Sequence, residues 1–434
     1  MRVAVYGLWH LGSVTAACLA DGGHHVVGID PDPATIAGLQ AGKPPVAEPG
    51  LDALIRAGLA AGRLRFAEDR PESFAGIDLL WVTFDTPVDE DDVSDVGAVT
   101  GPVLSRLPAL PDGCLVLVSS QLPVGTTREL VAAAAGKGLT FGYSPENLRL
   151  GKAIEVFTRP DRVIVGLERE IDRGRVSELL KPFTANIRWM SLESAEMTKH
   201  AINAFLATSV VFMNEIAAIC ETVGADAKEV EIGLKSEARI GPGAYLSPGA
   251  AFAGGTLARD VSALTEIGKR RVAGGPLLPA VLESNRRHAL WALGKIRDRF
   301  SDLAGRRIAI LGLTYKPGTD TLRRSSAVEL ARRLAVDGAR VAAFDPSLTS
   351  LPDDLAREID LAPSPAEAMR DASAMVLATP WPELRKLEWK PLIAGMSHAT
   401  IIDAGWVLAP ALRDEPTVDY FAVGLPARKA VGHG

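Results

Sequence analysis

The feature that most constrains this chain is a strand, a glycine-bounded turn and a helix in immediate succession at its start. RVAVYG is a short apolar strand-type run, and a helical stretch follows the turn at residues 13–20. Strand-type runs recur at HHVVGID, IDLLWVTF and CLVLVSS, separated by helical patterns. This alternation predicts βαβ units and a parallel sheet with helices on both faces.

The same pattern restarts near the other end of the chain. RRIAILGLTY begins at Arg306, and the helical run SSAVELARRLAVDGA and the strand-type runs RVAAFDP, AMVLAT and TIIDAG follow. The fold class predicted is therefore α/β, with two Rossmann-like, doubly wound parallel-sheet domains.

The middle of the chain is helical. No Gly or Pro occurs from residue 191 to residue 223, and a second helical run covers residues 276–300 after the Gly/Pro-rich loop IGPGAYLSPGAAFAGG. At about 150 residues per domain, 434 residues suggest about three domains. We predict the boundaries 1–190, 191–300 and 301–434, with the helical domain bridging the other two.

Composition excludes several classes of protein. With 47% apolar and 23% charged residues the chain is not disordered, and a net charge of -6 with 6% aromatics argues against a nucleic-acid-binding surface. The three cysteines have no metal-ligand spacing, so we expect no metal and a reducing, cytoplasmic setting. No signal peptide and no run approaching the ~20 apolar residues of a membrane span are evident, so we expect no membrane partner.

The first glycine turn indicates a dinucleotide site. Gly7-Leu8-Trp9-His10-Leu11-Gly12 lies between the first strand and the first helix, although Trp9 stands where the fingerprint has its middle glycine. The helix N-terminus offers N–H groups to a phosphate. Asp30, 18 residues beyond Gly12, is placed to bind a ribose 2′-hydroxyl and to repel a 2′-phosphate, which favours NAD over NADP. The alternative is a tight turn with no ligand and a solvated Asp30.

Polar residues punctuate the central helix. Lys199 and Asn203 are four positions apart and share a face, and Asn214 falls near the same line. Two interpretations are open. Lys199 is a catalytic residue that acts as a base or stabilises an alkoxide, or it is a surface residue and the asparagine makes a helix–helix contact. The histidines, His200 included, have no metal-ligand spacing and are taken as structural or solvated. Hydrolase motifs are absent.

Eight motifs in chain order resemble the UDP-glucose/GDP-mannose dehydrogenase family. They are GLWHLGSV, EPGLDALI, TPVDED, LPVGTT, SPENL with PDRVIVG, AEMTKHAINAFLA with NEIA, RIGPGAYLSPGAAFAGG with ARDV, and GLTYKPGTDTLR. The resemblance implies an NAD-binding domain at 1–190, a dimerisation domain at 191–300 and a nucleotide-sugar-binding domain at 301–434. It also implies oxidation of a sugar 6-hydroxyl to a carboxylate in two NAD-dependent steps, through a cysteine-bound intermediate.

The resemblance also implies roles for individual residues. Lys199 and Asn203 match the pair at the reacting carbon, Glu146 matches the water-handling glutamate, and Asp260 closes the cysteine motif. The implied cofactor contacts are Gly7, Trp9, His10, Leu11, Gly12, Asp30, Thr86, Gln121, Arg259 and Arg323. The implied substrate contacts are Arg239, Tyr245, Leu246, Ser247, Gly249, Ala253 and Lys316.

Departures from the family pattern are concentrated in the pocket. In the run Gly254-Gly255-Thr256-Leu257-Ala258-Arg259-Asp260, Thr256 replaces the nucleophilic cysteine and Arg259 a lysine. The other departures are Ala253 for a glycine, Gln121 for a water-holding threonine, Leu150 for a second glutamate, and DAGWVL for a D-x-R-N pattern.

These departures lead us to expect a single two-electron oxidation of the sugar alcohol to an aldehyde. Two alternatives stay open: a catalytically silent nucleotide-sugar-binding partner protein, and full oxidation to the uronic acid without a covalent intermediate. Uridine, guanosine and thymidine diphosphate sugars are all compatible with the sequence. We further expect a homodimer or larger homo-oligomer through the apolar run at residues 276–300, which includes Leu277, Leu282 and Leu290.

Overall fold

The computed structural model of the protein describes residues 1–89, 94–146, 148–253, 255–270 and 274–426. The chain forms two compact units, Met1–Ile202 and Asn203–Gly434. The three-domain division at 190 and 300 stays a prediction, and each unit is described by itself.

The first unit is an eight-stranded sheet in the order β3-β2-β1-β4-β5-β6-β7-β8. Its strands are β1 Arg2–Tyr6, β2 His25–Asp30, β3 Leu64–Glu68, β4 Leu79–Val82, β5 Leu115–Val118, β6 Thr140–Tyr143, β7 Val163–Leu167 and β8 Ile187–Met190. Its helices are α1 His10–Asp21, α2 Pro33–Gln40, α3 Leu51–Ala60, α4 Gly97–Arg106, α5 Thr126–Ala133, α6 Ala153–Thr158 and α7 Arg173–Leu180, with short 3-10 turns at Pro71–Phe74, Leu107–Ala109 and Glu170–Asp172.

The first strand shows how the sheet is buried on both faces. Val3 and Val5 belong to the apolar cluster under α1, whereas Ala4 and Tyr6 belong to the cluster on the opposite face. Alternate side chains of a strand point to opposite faces, so a strand that is apolar throughout requires helices on both sides. The doubly wound α/β architecture is confirmed. One departure is that β7 runs antiparallel to β6.

The second unit contains a six-stranded, entirely parallel sheet in the order β11-β10-β9-β12-β13-β14. Its strands are β9 Arg307–Leu311, β10 Arg340–Phe344, β11 Ile359–Leu361, β12 Ala374–Leu377, β13 Thr400–Ile402 and β14 Asp419–Phe421. Its helices include α13 Ser326–Val336, α14 Asp353–Ala356, α15 Pro365–Met369, α16 Trp389–Ala394 and α17 Ala409–Leu412, with a 3-10 turn at Leu384–Lys386.

Five helices precede this second sheet. They are α8 Leu192–Val223, which begins in the first unit, α9 Ala227–Ser236, α10 Gly255–Arg270, α11 Leu277–His288 and α12 Trp291–Arg299. The predicted helical region is therefore confirmed.

The expectation that no segment is long and apolar enough to cross a membrane is wrong for α8. This helix has 32 residues and a window of mean hydropathy 1.6, which meets the length and composition criterion. Core helices of globular domains meet it too, and α8 buries Glu196, whose carboxylate accepts hydrogen bonds from the Thr127 amide and hydroxyl at 2.9 and 2.6 Å. The helix is therefore weak evidence for a membrane span.

The apolar run at residues 276–300 is partly covered within its own unit. Leu293, Ile296 and Phe300 pack into the core of the second sheet, and Val281 packs in a cluster with residues of α8 and α10. Leu277 and Leu290 stay 62% and 37% exposed, so oligomerisation through this run stays a prediction. A longer exposed apolar stripe lies on α8, as described below.

Candidate active site

The turn after β1 needs glycine at both ends. Gly7 has a φ of +95°, and a Cβ on Gly12 would lie 1.8 Å from the Gly7 carbonyl oxygen. Trp9 occupies the N-cap position of α1 without a side-chain hydrogen bond to the helix, and its indole is 52% exposed. The first turn of α1 therefore receives no cap from the side chain of its N-cap residue, which leaves this end suited to an anionic ligand.

Asp30 ends β2 beside this turn. It is buried, and its two carboxylate oxygens accept hydrogen bonds from the amides of Leu8 at 2.6 Å and Asp32 at 2.9 Å. Burial raises the pKa of the Asp30 carboxyl above its usual value, although the two amides oppose this shift. Asp30 is thus not a solvated loop acid.

Two buried hydroxyls lie after the neighbouring strands of the sheet. Thr86 Oγ1 follows β4 and Ser120 Oγ follows β5, and neither has a hydrogen-bond partner within the described residues. The strand order reverses between β1 and β4, and ligands of open α/β sheets bind at the carboxyl ends of strands at such a point. Buried polar groups normally have partners, so these orphan hydroxyls fit a bound polar cofactor. Ser120 was not predicted from the sequence.

Lys199 and Glu146 come together in the first unit. The Lys199 ammonium donates a 2.5 Å hydrogen bond to the Glu146 carbonyl oxygen, so this lysine is not a freely solvated surface residue. Burial raises the pKa of the Glu146 carboxyl. The Lys199 charge opposes this rise, the Asp85 carboxylate adds to it, and the charge of His10 opposes it. A carboxyl with a raised pKa beside a lysine is suited to proton transfer.

Two of the residues that depart from the family pattern lie in the first unit. Gln121 is half-buried in the loop after β5, and Leu150 is 48% exposed after β6. The same part of the chain contains an unpredicted side-chain contact, in which His10 Nε2 lies 2.9 Å from Glu48 Oε2. Glu48 belongs to the EPGLDALI motif, to which no role had been assigned.

A second polar group lies in the second unit, on α8 and α10. The Asn203 side-chain amide donates a hydrogen bond to the Asp260 carboxylate, which is fully buried, and Arg259 Nε lies 3.7 Å from the other carboxylate oxygen. Thr256 is exposed in the first turn of α10, four residues before Asp260 and therefore on the same face. Gly254 lies outside the described residues.

The loop at 249–252 is held by side chains from two helices. Asn214 Oδ1 accepts the Gly249 amide at 3.0 Å, and His288 Nε2 donates to the Gly249 carbonyl at 2.8 Å. Asn285 bonds both the amide and the carbonyl of Phe252, at 3.0 and 2.9 Å. Asn214 therefore supports the loop, and Asn285 and His288 are functional candidates that sequence reasoning missed. Their spacing of three on one helix is the only local signal.

Most of the other predicted substrate contacts are solvent-facing. Arg239 pairs with Glu237, Tyr245 is 58% exposed, and Lys316 is exposed. Arg323, predicted as a cofactor contact, is exposed too. Leu246 is buried in a small apolar cluster, Ala253 is half-buried, and Ser247 bonds Lys228 at 2.8 Å. Within the described residues, the structure gathers Asn203, Arg259 and Asp260 and leaves these other side chains outside that group.

A cavity of about 130 Å³ lies beside the clamped loop. Its wall is largely apolar, and the residues that define it include Ala251, His288, Trp291, Ser326, Val376 and Gly405. Gly405 belongs to the DAGWVL segment and carries no side chain into this space. Among the residues that the structure describes, no group of three or more His, Cys, Asp or Glu side chains is arranged to hold a metal ion.

Comparison with known proteins covers nearly the whole chain. The UDP-glucose/GDP-mannose dehydrogenase family is matched in three parts: its NAD-binding domain at residues 1–184, its central domain at 193–287 and its UDP-binding domain at 309–410.

Individual relatives agree with this match. The UDP-glucose 6-dehydrogenase of Rhizobium meliloti is 34% identical over 93% of this chain and 94% of its own, and the Bacillus subtilis UDP-glucose 6-dehydrogenase YwqF is 32% identical over 99% and 98%. The structure of a UDP-glucose dehydrogenase from Pyrobaculum islandicum superimposes with a TM-score of 0.83 at 29% identity, over 98% of both chains. The chain therefore belongs to the UDP-glucose/GDP-mannose dehydrogenase family of NAD-dependent oxidoreductases.

Proposed function

We propose that this protein oxidises the alcohol of a nucleotide-diphosphate sugar by two electrons and releases, or passes on, the aldehyde. The residue that carries the proposal is Thr256, which the family resemblance matches to the nucleophilic cysteine and which lies on α10, four residues before the Asp260 that Asn203 bonds. The first oxidation does not use that thiol, whereas the covalent route to the acid depends on it.

The cofactor groups support this chemistry. The turn at Gly7–Gly12, Asp30 and the orphan hydroxyls of Thr86 and Ser120 would hold NAD, which supplies a hydride acceptor when bound. Oxidation of a primary alcohol by NAD yields one aldehyde, one NADH and one proton. We assign the proton to Glu146, because burial raises the pKa of its carboxyl and because the Lys199 ammonium is bonded to the main-chain carbonyl of the same residue. The family resemblance assigns the stabilisation of alkoxide character in the substrate to Lys199, Asn203 and Asp260.

The second oxidation lacks its nucleophile. A thiol near pKa 8.5 becomes a thiolate readily when a cation is near, whereas a threonine hydroxyl needs a dedicated base. The ester that Thr256 would form also needs a water site, and Gln121 and Leu150 replace two of the family's groups there. The aldehyde is therefore the expected product.

The sugar nucleotide is assigned to the second unit by the match to a UDP-binding domain and by the cavity beside the clamped loop. The cavity's largely apolar wall, with His288, Ser326 and Asp403 as its polar residues, suits a nucleoside ring with few polar contacts. The names of the relatives make UDP-glucose the first substrate to try, followed by guanosine and thymidine diphosphate sugars.

The deciding experiment measures NADH formed per sugar consumed, with mass spectrometry of the product. One equivalent and an aldehyde, or its hydrate, support the proposal. Two equivalents and a carboxylate contradict it and favour direct oxidation of the hydrate. No turnover with calorimetric binding of the sugar nucleotide favours the silent partner protein. In the Thr256→Cys variant we expect a covalent adduct without fast acid formation.

We also propose a homodimer formed through α8. Phe205, Phe212 and Ile219 are 69%, 46% and 56% exposed, and their spacing of seven places them along one face of the helix. Light scattering at micromolar concentration should give a dimer mass for the wild type and a monomer mass for Phe205→Glu/Phe212→Glu. Val336→Glu, which changes an 87% exposed side chain on α13, is the matched control and should stay dimeric. A monomeric wild type would contradict the proposal.

A further inference from the structure

Basic side chains line up across three neighbouring strands of the first unit, at the amino ends of β1, β2 and β3. Arg2 begins β1, His25 begins β2, and Arg65 is the second residue of β3. Arg2 is paired in register with His25. Arg65 is paired with Val27, two residues along β2 from His25. Alternate side chains of a strand point to opposite faces, so Arg2, His25 and Arg65 share one face of the sheet.

These three side chains border a cavity of about 420 Å³, to which Arg63 also contributes, and we call this cavity the basic groove. The other described residues that line it are Val, Ala, Ile or Gly, and none of the described lining residues is acidic. Three arginines and one histidine without a carboxylate give a local positive potential in a chain whose net charge is -6. The basic groove is therefore suited to a small anionic molecule.

The arginines of the basic groove differ in how they are held. Arg63 Nε donates to the Ala20 carbonyl oxygen at 3.0 Å. The Arg2 guanidinium lies 3.2 Å from the Asp78 carboxylate, in a pair whose side chains are 64% and 41% exposed, and such exposed pairs are weak. The Arg65 side chain has no hydrogen-bond or ion-pair partner among the residues that the structure describes. A guanidinium group binds phosphate through two parallel N–H donors, so Arg65 has these donors to offer.

The second unit has a groove at the equivalent place, but carboxylates line that groove as well. Arg340 begins β10 and is paired in register with Arg307, which begins β9. The cavity beside them is also lined by Arg357, Glu358 and Asp360. Arg307 Nη1 lies 3.7 Å from Asp360 Oδ2. The positive charge of the second groove is therefore balanced within its own lining, whereas that of the basic groove is not.

We propose that the basic groove is an anion site that binds the diphosphate or triphosphate group of a small molecule. Adjacent strands lie about 4.8 Å apart, so the row from β1 to β3 spans about 10 Å, and linked phosphates can contact more of it than a single phosphate can. The site is separate from the cofactor turn, because Gly7 follows Arg2 by five residues along β1, or about 16 Å. The inference does not depend on the proposed function.

Calorimetric titration with inorganic pyrophosphate tests this site. NADH and UDP are present at saturation, so that the cofactor turn and the UDP-binding domain are occupied. Wild type should bind pyrophosphate, and Arg65→Gln should bind it about tenfold more weakly or worse, because a charged donor to phosphate is lost. Arg340→Gln, the matched control at the start of a strand in the second sheet, should leave the affinity unchanged. Equal affinity of wild type and Arg65→Gln would overturn the proposal, as would absence of binding to wild type.

Two further measurements separate loss of the site from loss of the fold. The thermal unfolding midpoints of Arg65→Gln and Arg340→Gln should match that of wild type, because both side chains are exposed. Arg2→Gln removes a second charge of the row and should also weaken pyrophosphate binding. The affinity of wild type should fall more steeply with added salt than that of Arg65→Gln, because more charges contact the ligand. An identical salt dependence would contradict the proposal.

The source of the phosphates is distinguished by comparing inorganic triphosphate with ATP under the same conditions. Equal affinities would show that the basic groove binds the phosphates alone, and tighter binding of ATP would show that the nucleoside adds contacts. Both outcomes support the proposal, provided that Arg65→Gln weakens the binding of both ligands. Sulfate serves as the single-anion control. Sulfate bound as tightly as triphosphate would contradict the proposal, because linked phosphates would then gain nothing from the row of donors.

Discussion

In both sheets a glycine follows the first strand and an aspartate ends or follows the second strand, but the two aspartates have different hydrogen-bond partners. In the first unit β1 ends at Gly7 and the next strand ends at Asp30. In the second unit β9 leads to Gly312, whose φ of +88° matches the +95° of Gly7, and the next strand leads to Asp345. The two acids also share a role, because each accepts the amide of the residue after its glycine, at 2.6 and 2.8 Å.

The difference lies in what else the acid binds. Asp345 accepts the Thr314 amide and hydroxyl at 2.9 Å each and the Trp381 indole N–H at 3.2 Å, and its second oxygen binds Ser347. Burial would raise the pKa of the Asp345 carboxyl, but these donors hold it below its usual value, whereas burial dominates at Asp30 and raises its pKa.

The helices that follow the two glycines also differ in whether a side chain caps them. α1 starts three residues after Gly7 and has no side-chain cap, whereas α13 starts 14 residues after Gly312 and is capped by Ser325 Oγ. The acid of the second turn thus accepts more hydrogen bonds and its helix is capped, whereas the acid of the first turn accepts two and its helix has no side-chain cap. Similar topology therefore does not imply a similar ligand.

The largest expected effect is on stability and concerns Asp345. Asp345→Asn removes a buried charged acceptor of several hydrogen bonds and should lower the free energy of unfolding by about 3 kcal/mol. Because the folded-state pKa is lowered, this stabilisation is present above the unfolded-state pKa of about 3.9 and is lost as pH falls through the folded value. Urea unfolding of wild type and variant should show a constant gap from pH 7 to about 5 that narrows below about 4. A gap independent of pH would contradict this account.

The second prediction concerns cofactor choice and Asp30. Asp30→Asn removes the charge that we expect to face the 2′-phosphate of NADP, so the ratio of kcat/KM for NAD to that for NADP should fall by about tenfold or more. The ratio is measured with both cofactors at fixed sugar nucleotide. Asp345→Asn, where it stays folded, should leave the ratio unchanged. A wild-type enzyme equally efficient with both cofactors would refute the preference for NAD.

A smaller effect is expected at the cap of α13. Ser325 Oγ accepts the amides of Ala327 and Val328 and donates to the Leu313 carbonyl, so Ser325→Ala should cost about 1 kcal/mol of stability. The KM for NAD should not change, because this helix end serves the fold. Thermal unfolding tests the loss of stability, and steady-state kinetics of the same preparation test the unchanged KM. A raised KM for NAD would contradict the assignment of this helix end to the fold alone.

The smallest change in stability is expected at Trp9. Its indole is exposed and caps nothing, so Trp9→Ala should alter the free energy of unfolding by less than about 0.5 kcal/mol. The dissociation constant for NADH, measured by fluorescence, should nevertheless change by more than about twofold, because Trp9 lies in the phosphate-facing turn. Ile171→Ala, which alters a 76% exposed side chain, serves as the control. A large loss of stability without any effect on NADH binding would contradict this assignment.

Local patterns predicted what is local in this fold. The run RVAVYG, the glycine turn and Asp30 appear as expected, because strand periodicity and turn chemistry act over a few residues. The reversed direction of β7 and the pairing of His10 with Glu48, 38 residues away, depend on packing between distant segments, which local periodicity does not encode.

The apolar run at 276–300 illustrates the same limit. Its leucines predict a buried face but not the partner that buries it. Leu293 packs under the second sheet of its own unit, whereas the exposed stripe lies on α8 at Phe205 and Phe212.

The clamp on the loop at 249–252 has a consequence for how substrate range can evolve. Asn214, Asn285 and His288 grip only main-chain atoms of this loop. Substitutions of side chains within the loop leave these bonds in place, because the bonds reach only main-chain atoms. The course of the loop backbone is therefore set by residues on the two helices. Residues 250 and 251 can therefore be varied while the side-chain bonds to Gly249 and Phe252 that fix the loop are kept.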